Sequence, residues 1–405
     1  MKNKKLDFKN NFKSIVKRKG INKKLTKDFT HFFYELKKEI KDKNKTLNVL
    51  NQNYTFKFKI SQLNKFKKFK TVAIIGMGGS ILGAEAMHNF FGEKIKKKIY
   101  FFNDIDENRI IEFKKKEVHS KVLFIIISKS GNTIETLSNV FSLNIIKKNS
   151  NNIIIISEKK NNCLYNLSKK MNLFFIEHRS SIGGRYSVLS ETGLVPAYLM
   201  GIDIKKLRSS LSRFLNKKNM YFLKDSAINL ANILKSKNLN NLILLNYSPK
   251  LEKLLFWIQQ LIAESLGKNN KGFFPVISNV PKDHHSLLQL YLDGPKDKIF
   301  YVFNAELNPN IRIDFKYIDD EKKYLKNRFL NTIKIAQKNA LIKSLKKNNL
   351  PFREFNIKKI DENTLGQLFS YFILETVLIG KLSKINPYDQ PAVEQVKIYT
   401  KQHLN

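Results

Sequence analysis

From Thr71 onward the chain alternates between two hydrophobic rhythms. Short apolar runs at 72–76, 98–102, 122–128, 153–157 and 173–176 have the length and β-branched content of buried strands. Between them, apolar residues recur every three or four positions, which predicts helices starting near Ser80, Asp106, Thr133 and Cys163. Such alternation implies a parallel, doubly wound sheet with right-handed crossovers. A second block follows, with strands predicted at 242–246, 299–304 and 352–357 and helices at 251–266, 285–293 and 316–346. Residues 1–50 are lysine-rich, with helical spacing of Leu25, Phe29, Phe32, Phe33 and Leu36. A strongly apolar helix is predicted at 364–381, followed by an irregular tail from Ile385. The expected fold class is α/β: an N-terminal helical segment (1–50), a first doubly wound domain (51–203), a second, smaller one (204–362), and a C-terminal helix and tail (363–405) packing back on the active site.

Composition narrows the class. The apolar share, 42%, is ordinary for a globular protein, and 405 residues can hold more than one core. The longest apolar runs are strand-length, short of the ~20 residues of a membrane helix, and no apolar stretch follows the basic N-terminus as in a secretory signal. No membrane association is expected. The single cysteine, Cys163, excludes an internal disulfide and fits a reducing cytoplasm. Lys and Arg total 74 against 34 Asp and Glu, a net charge of +40. The excess is lysine scattered through most helices, alongside abundant Asn, Ile and Phe, the mark of an A/T-biased coding sequence. It is therefore not read as a nucleic-acid surface, although the field can draw in an anionic substrate.

The candidate chemistry lies where strands end. After the run at 122–127 come Ser128, Ser130, Gly131, Thr133 and Thr136 at a helix start. Outward N–H groups, a positive helix end and four hydroxyls suit a phosphate monoester better than a single cap would. The Gly-Lys-Ser/Thr ending of a Walker loop is missing. The first strand-to-helix turn, Gly76-Met77-Gly78-Gly79-Ser80, begins like a dinucleotide fingerprint, but Ile81 stands where the third glycine belongs. With Asp104 and Asp106 as possible ribose ligands, a dehydrogenase is one alternative; close approach of Gly79 and Ser80 to a sugar is the other. Gly183-Gly184-Arg185-Tyr186-Ser187 presents one arginine at the sheet's edge, able to stabilise a negative oxygen. Glu264 ends an apolar helical stretch one turn after Gln260, where apolar walls would raise its pKa and suit it to proton abstraction. In Asp283-His284-His285, no carboxylate or cysteine cluster completes a metal site, so one histidine as general acid or base is the better reading. Lys397 either reaches back to a pocket or is one more surface lysine.

In this order, the motifs resemble the glucose-6-phosphate isomerases, specifically their short bacterial branch. The resemblance runs from about Thr71 to the C-terminus, and the two signature segments are 183–187 and 387–397. It implies two sugar-isomerase (SIS) type domains, a homodimer, no metal and no organic cofactor. It also implies interconversion of glucose 6-phosphate and fructose 6-phosphate by ring opening and proton transfer through a cis-enediol. Carried over, Ser128, Ser130, Thr133 and Thr136, with Lys129 beside them, form the phosphate loop, and Gly79 and Ser80 contact the sugar. Arg185 stabilises the enediolate, and Glu264 is the catalytic base. His285, donated by the partner subunit, opens the ring, while Gln390 and Lys397 complete the site. Ala392 departs from the family's usual glycine, and His284 has no assigned role. A related isomerase of amino sugar phosphates, or a sugar-phosphate-binding regulator, is the alternative.

Overall fold

The computed structural model describes residues 5–12, 19–236, 238–306, 311–313 and 320–404. Ten strands are found there: β1 (Leu6–Asn11), β2 (Thr71–Gly76), β3 (Lys98–Phe102), β4 (Val122–Ile127), β5 (Ile153–Ser157), β6 (Phe174–Glu177), β7 (Asn241–Asn246), β8 (Phe274–Asn279), β9 (Lys298–Ala305) and β10 (Phe352–Ile357). The described helices of eight residues or more are α1 (Lys19–Lys41), α2 (Leu82–Phe91), α3 (Glu107–Lys116), α4 (Ile134–Leu143), α5 (Cys163–Lys170), α6 (Glu191–Leu199), α7 (Lys217–Ser236), α8 (Glu252–Leu266), α9 (Leu330–Lys347), α10 (Glu362–Leu382) and α11 (Val393–Leu404).

The first sheet has the order β3-β2-β4-β5-β6 and is parallel throughout. Its strands read as unbroken apolar runs because both faces are covered: Val72, Ile74, Leu123 and Ile125 enter one core, while Ala73, Ile75, Phe124 and Ile126 enter another. The chain leaves β2 for β3 on one side and β4 on the other. That reversal opens a crevice at the carboxyl ends of β2 and β4, the usual ligand position in such sheets. Helix starts are capped as the side chains permit: Asp106 accepts from the Arg109 amide (3.1 Å) and Asn162 from the Tyr165 amide (2.9 Å).

The second sheet has the order β1-β10-β9-β7-β8. Four strands are parallel, and β1 runs antiparallel on β10, Leu6 opposite Ile357. One contiguous core, which takes in residues of both sheets together with α8 and α10, fuses the two α/β units. Helix α10 is long and apolar enough to cross a membrane by composition, but 94% of that window is packed inside the protein.

Several elements differ from the sequence reading. Helical spacing holds for α1, whose Leu25, Phe29, Phe33 and Leu36 are buried in a stripe, but Leu6–Asn11 is an edge strand. There Leu6 is buried and Phe8 stacks among Phe214, Phe222, Phe355 and Tyr371, an alternation too short to stand out from the lysines around it. Strand β8 escapes the sequence reading because Pro275 sits in it; as the outer strand of its sheet, β8 can accept a residue without an N–H. Helix α7 is likewise absent from that reading. The helix expected at 285–293 is a short turn, Lys282–His285, followed by the five-residue helix Leu288–Leu292. Of the long helix expected at 316–346, α9 accounts for the second half, Asp320–Leu325 is a separate 3-10 turn, and 316–319 lie outside the described residues.

Candidate active site

The crevice of the first sheet holds the two loops singled out by their sequence. At the end of β4, Ser128 Oγ lies 2.8 Å from Thr133 Oγ1, and Ser130 Oγ lies 3.4 Å from it. The Gly131 amide donates to Ser128 Oγ (3.1 Å) and the Asn132 amide to Ser130 Oγ (3.3 Å), closing the loop on itself. Gly131 is obligatory here: its φ is +69°, and a Cβ would sit 1.8 Å from Asn162 Oδ1. Thr136 lies one turn into α4, fully buried, with no hydrogen-bond partner for its hydroxyl among the described residues. Ser130 is exposed and Thr133 half-buried, so these two hydroxyls are the accessible ones. Lys129 turns to the ends of β5 and β6: its ammonium donates to the Ser180 carbonyl (2.8 Å) and lies 3.7 Å from Glu158. Burial pushes its pKa down, and Glu158 opposes that shift.

The turn after β2 carries Gly79 and Ser80 to the same crevice, Gly76 being paired opposite Ile127 of β4. A Cβ on Gly79 would lie 2.2 Å from the Gly184 carbonyl carbon, and Gly78, at φ +50°, faces the Gln260 amide. These close approaches bring three sequence-distant segments together, and only glycine allows them. Asp104 and Asp106 have local work instead of a ribose: Asp104 accepts from the Ile105 amide and Asp106 caps α3.

Arg185 is the hub. It is 1% exposed, and all five of its N–H donors have an acceptor. Nε donates to Ser265 Oγ (2.8 Å), Nη1 to Glu264 Oε2 (3.2 Å) and Gln390 Oε1, and Nη2 to the carbonyls of Pro387 (2.7 Å) and Asp389 (3.0 Å). Glu264 projects from the last turn of α8, its other oxygen accepting from Gln260 Nε2 (2.9 Å), one helical turn back. Its setting is a pair of donors, where the sequence points to apolar walls; the apolar residues of α8 face the core on its other side. Because guanidinium offers only donors, Gln390 must turn its oxygen to Arg185, leaving its amide hydrogens directed elsewhere, and the residue is exposed.

Arg185, Glu264 and Gln390 are thus brought together, with Gly79, Ser80, Ser128, Ser130 and Thr133 on the adjoining loops. His285 and Lys397 are not. His285 is exposed, and no hydrogen bond or ion pair among the described residues joins it to the cluster. Its neighbour His284 shares a 2.9 Å hydrogen bond with the Tyr247 hydroxyl, and burial lowers the His284 pKa. Lys397 lies on α11, which is exposed along its whole length, in a 2.6 Å pair with Glu394. Residues to which the sequence reading gives no role are Ser265, Gln260 and Tyr186, whose hydroxyl donates to the Pro387 carbonyl (2.7 Å). The one-turn spacing of Gln260 and Glu264 hints at Gln260, and Tyr186 lies within the segment 183–187; nothing local marks Ser265 beyond its place next to Glu264. No group of three or more His, Cys, Asp or Glu able to hold a metal is found among the described residues.

Residues 37–272 match the model of the family described as phosphoglucose isomerase. The chain belongs to the phosphoglucose isomerase family. A probable glucose-6-phosphate isomerase of Methanococcus maripaludis is 33% identical over 368 residues, 87% of this chain and 82% of that one. The glucose-6-phosphate isomerase of Methanocaldococcus jannaschii is 34% identical over 346 residues, covering 83% and 85%. Among solved structures, a hypothetical protein of Thermus thermophilus superposes with a TM-score of 0.80 over 98% of this chain and 100% of its own, at 22% identity, which supports the fold. Family membership makes the protein an isomerase, and its two largely parallel sheets give it an α/β architecture.

Proposed function

We propose that the protein interconverts glucose 6-phosphate and fructose 6-phosphate by general acid–base catalysis. The observation that carries this reading is the Glu264 carboxylate held 3.2 Å from a fully engaged Arg185 beside a hydroxyl-lined loop. Ser130 and Thr133, with the loop amides, would grip the phosphate; the buried Ser128 and Thr136 would support the loop from behind, Ser128 through its 2.8 Å contact with Thr133, and Lys129 would add positive charge at its edge. Gly79 and Ser80 would meet the sugar. After ring opening, Glu264 takes the proton from C2 of the aldose as O1 takes up a proton from water and the C1=C2 bond of a cis-enediol forms; Glu264 then returns its proton to C1 while O2 gives its hydroxyl proton back to water and becomes the carbonyl. Arg185, whose N–H groups are all engaged within the protein, stabilises the negative charge on the oxygens through its positive charge, and the Gln390 amide hydrogens beside it are the donors free to reach them. The remote phosphate grip keeps the reacting carbons in line.

Ring opening requires an acid at the ring oxygen. We assign it to His285 from a second subunit of a homodimer, with Lys397 helping to orient the sugar. Their exposure in the single chain, with no bond among the described residues from either to Glu264, supports that assignment. The chemistry described uses side chains alone, without metal or organic cofactor. Cys163, the only cysteine and a free one, supports a reducing, cytoplasmic setting. Incubation with fructose 6-phosphate in the presence of a chelator, with glucose 6-phosphate followed by a coupled dehydrogenase, tests the reading: rapid conversion is expected, and a folded protein that converts none would refute it.

A further inference from the structure

Segment 386–390 supplies three of the five acceptors that saturate Arg185: the carbonyls of Pro387 and Asp389 and the Gln390 side chain. It has no helix or strand of its own. Its internal bonds are two: Asn386 Nδ2 to Asp389 Oδ2 (2.8 Å) and the Tyr388 amide to Asn386 Oδ1 (3.1 Å). Downstream it runs into α11, exposed throughout, so no packing among the described residues holds that side. Its geometry therefore depends on anchors from elsewhere. Arg185, Tyr186 and Lys268 provide some, Lys268 reaching Asp389 Oδ1 at 2.6 Å.

Lys268 also donates to the Asn386 carbonyl, and a further anchor comes from the N-terminal helix. The Tyr388 hydroxyl donates to Glu39 Oε2 at 2.5 Å, the short distance of a charge-assisted bond. The other oxygen, Glu39 Oε1, accepts from Lys381 Nζ at 2.6 Å, and Glu35 lies 3.4 Å from the same ammonium. Glu39 and Lys381 side chains are only 18% and 16% exposed, so water competes weakly. Tyr388 is also packed against the Tyr186 ring, 5.8 Å between centroids. Burial and the neighbouring Glu39 carboxylate push the Tyr388 pKa far up, so the phenol remains a donor at every working pH.

We infer that Glu39 of the N-terminal helix is a positioning residue, which fixes Tyr388 and through it sets the carbonyls and Gln390 that hold Arg185 beside Glu264. It touches no substrate; it acts by denying the 386–390 segment the freedom to withdraw. The kinetic part of its test rests on the proposed isomerase activity, and the structural part does not.

The test compares Glu39→Leu, Glu39→Gln, Tyr388→Phe and the Glu39→Leu/Tyr388→Phe double variant with the wild type. Amide exchange over 385–392 is read by mass spectrometry, and kcat and KM for fructose 6-phosphate are measured. Glu39→Leu is expected to raise exchange at the Tyr388, Asp389 and Gln390 amides and to lower kcat roughly ten- to hundredfold. KM should stay within about threefold, because the phosphate grip is untouched. Glu39→Gln, which keeps an acceptor, should fall between Glu39→Leu and the wild type. The double variant should be no worse than the worse single, since both remove one link. A folded Glu39→Leu with unchanged exchange and kcat, or losses that add fully in the double variant, would overturn the inference. If Glu39→Leu does not fold, Tyr388→Phe, which deletes one oxygen, decides by the same readouts. A wild type that does not convert the sugar would refute the proposed activity, while the exchange measurement would still decide the role of Glu39.

Discussion

Arg185 illustrates how much a single side chain can organise. Its five donors satisfy acceptors from α8, Ser265 and Glu264, and from the C-terminal segment, while the guanidinium itself is buried. Lysine has three donors on one atom and cannot serve that fork. Arg185→Lys, with three donors for these five acceptors, should lose at least two of the hydrogen bonds and lower the unfolding free energy by about 2–6 kcal/mol, at roughly 1–3 kcal/mol for each. Urea denaturation measures this, and an unchanged midpoint would show that the carbonyls find water instead. The arginine is legible in the sequence because two glycines precede it. Its partners Ser265, Pro387 and Asp389 are not, since contacts across 80 and 202 or more residues leave no local pattern.

Among the elements, those buried on both faces are the readable ones. β2 to β6 have apolar runs that leave little choice but strand, and their predicted ends lie within a residue or two of the observed ones. β1, β8 and the short helices around His285 are hidden because edge position, a proline or a polar surface decides them through tertiary context. The carboxyl end of β6 carries a further consequence. His178, 2% exposed, donates through Nδ1 to the Arg179 carbonyl (2.9 Å), and burial, reinforced by Lys129, lowers its pKa to about 4. The unfolded chain, with an ordinary value near 6.5, binds a proton between pH 6.5 and 4 that the folded chain refuses. Stability from this group is thus complete above that window and is lost on acidification, at about 1.4 kcal/mol per pH unit. His178→Asn, whose amide can replace the Nδ1 donor, should be less stable at pH 7 but have a flatter acid limb. Unfolding measured at pH 7, 6 and 5 should show the gap to wild type narrowing; parallel curves would contradict the assignment.

For the molecule as a whole, two α/β units share one core and bring the Arg185–Glu264 pair to the first unit's crevice, while His285 and the apolar-bearing α11 remain on the outside. Val393, Val396, Tyr399 and Leu404 of α11 are exposed, as expected of a surface that a second subunit covers in the proposed dimer. Complementation tests this assembly. Glu264→Gln and His285→Ala chains, each inactive alone, should on co-refolding recover about a quarter of wild-type activity, because half of the dimers are mixed and each mixed dimer has one intact site of two. No recovery, with mixed dimers shown to form, would place His285 in the same site as its own Glu264.

The central claim is that Glu264 moves a proton between C2 and C1. Its most direct test follows fructose 6-phosphate in deuterated water, with chelator present, for wild type and for Glu264→Gln. The wild type should form glucose 6-phosphate and introduce solvent deuterium at the exchanging carbon, while Glu264→Gln, still folded and still binding the sugar phosphate, should lose both by about 10²–10⁴-fold or more. Conversion by Glu264→Gln at the wild-type rate would contradict the claim.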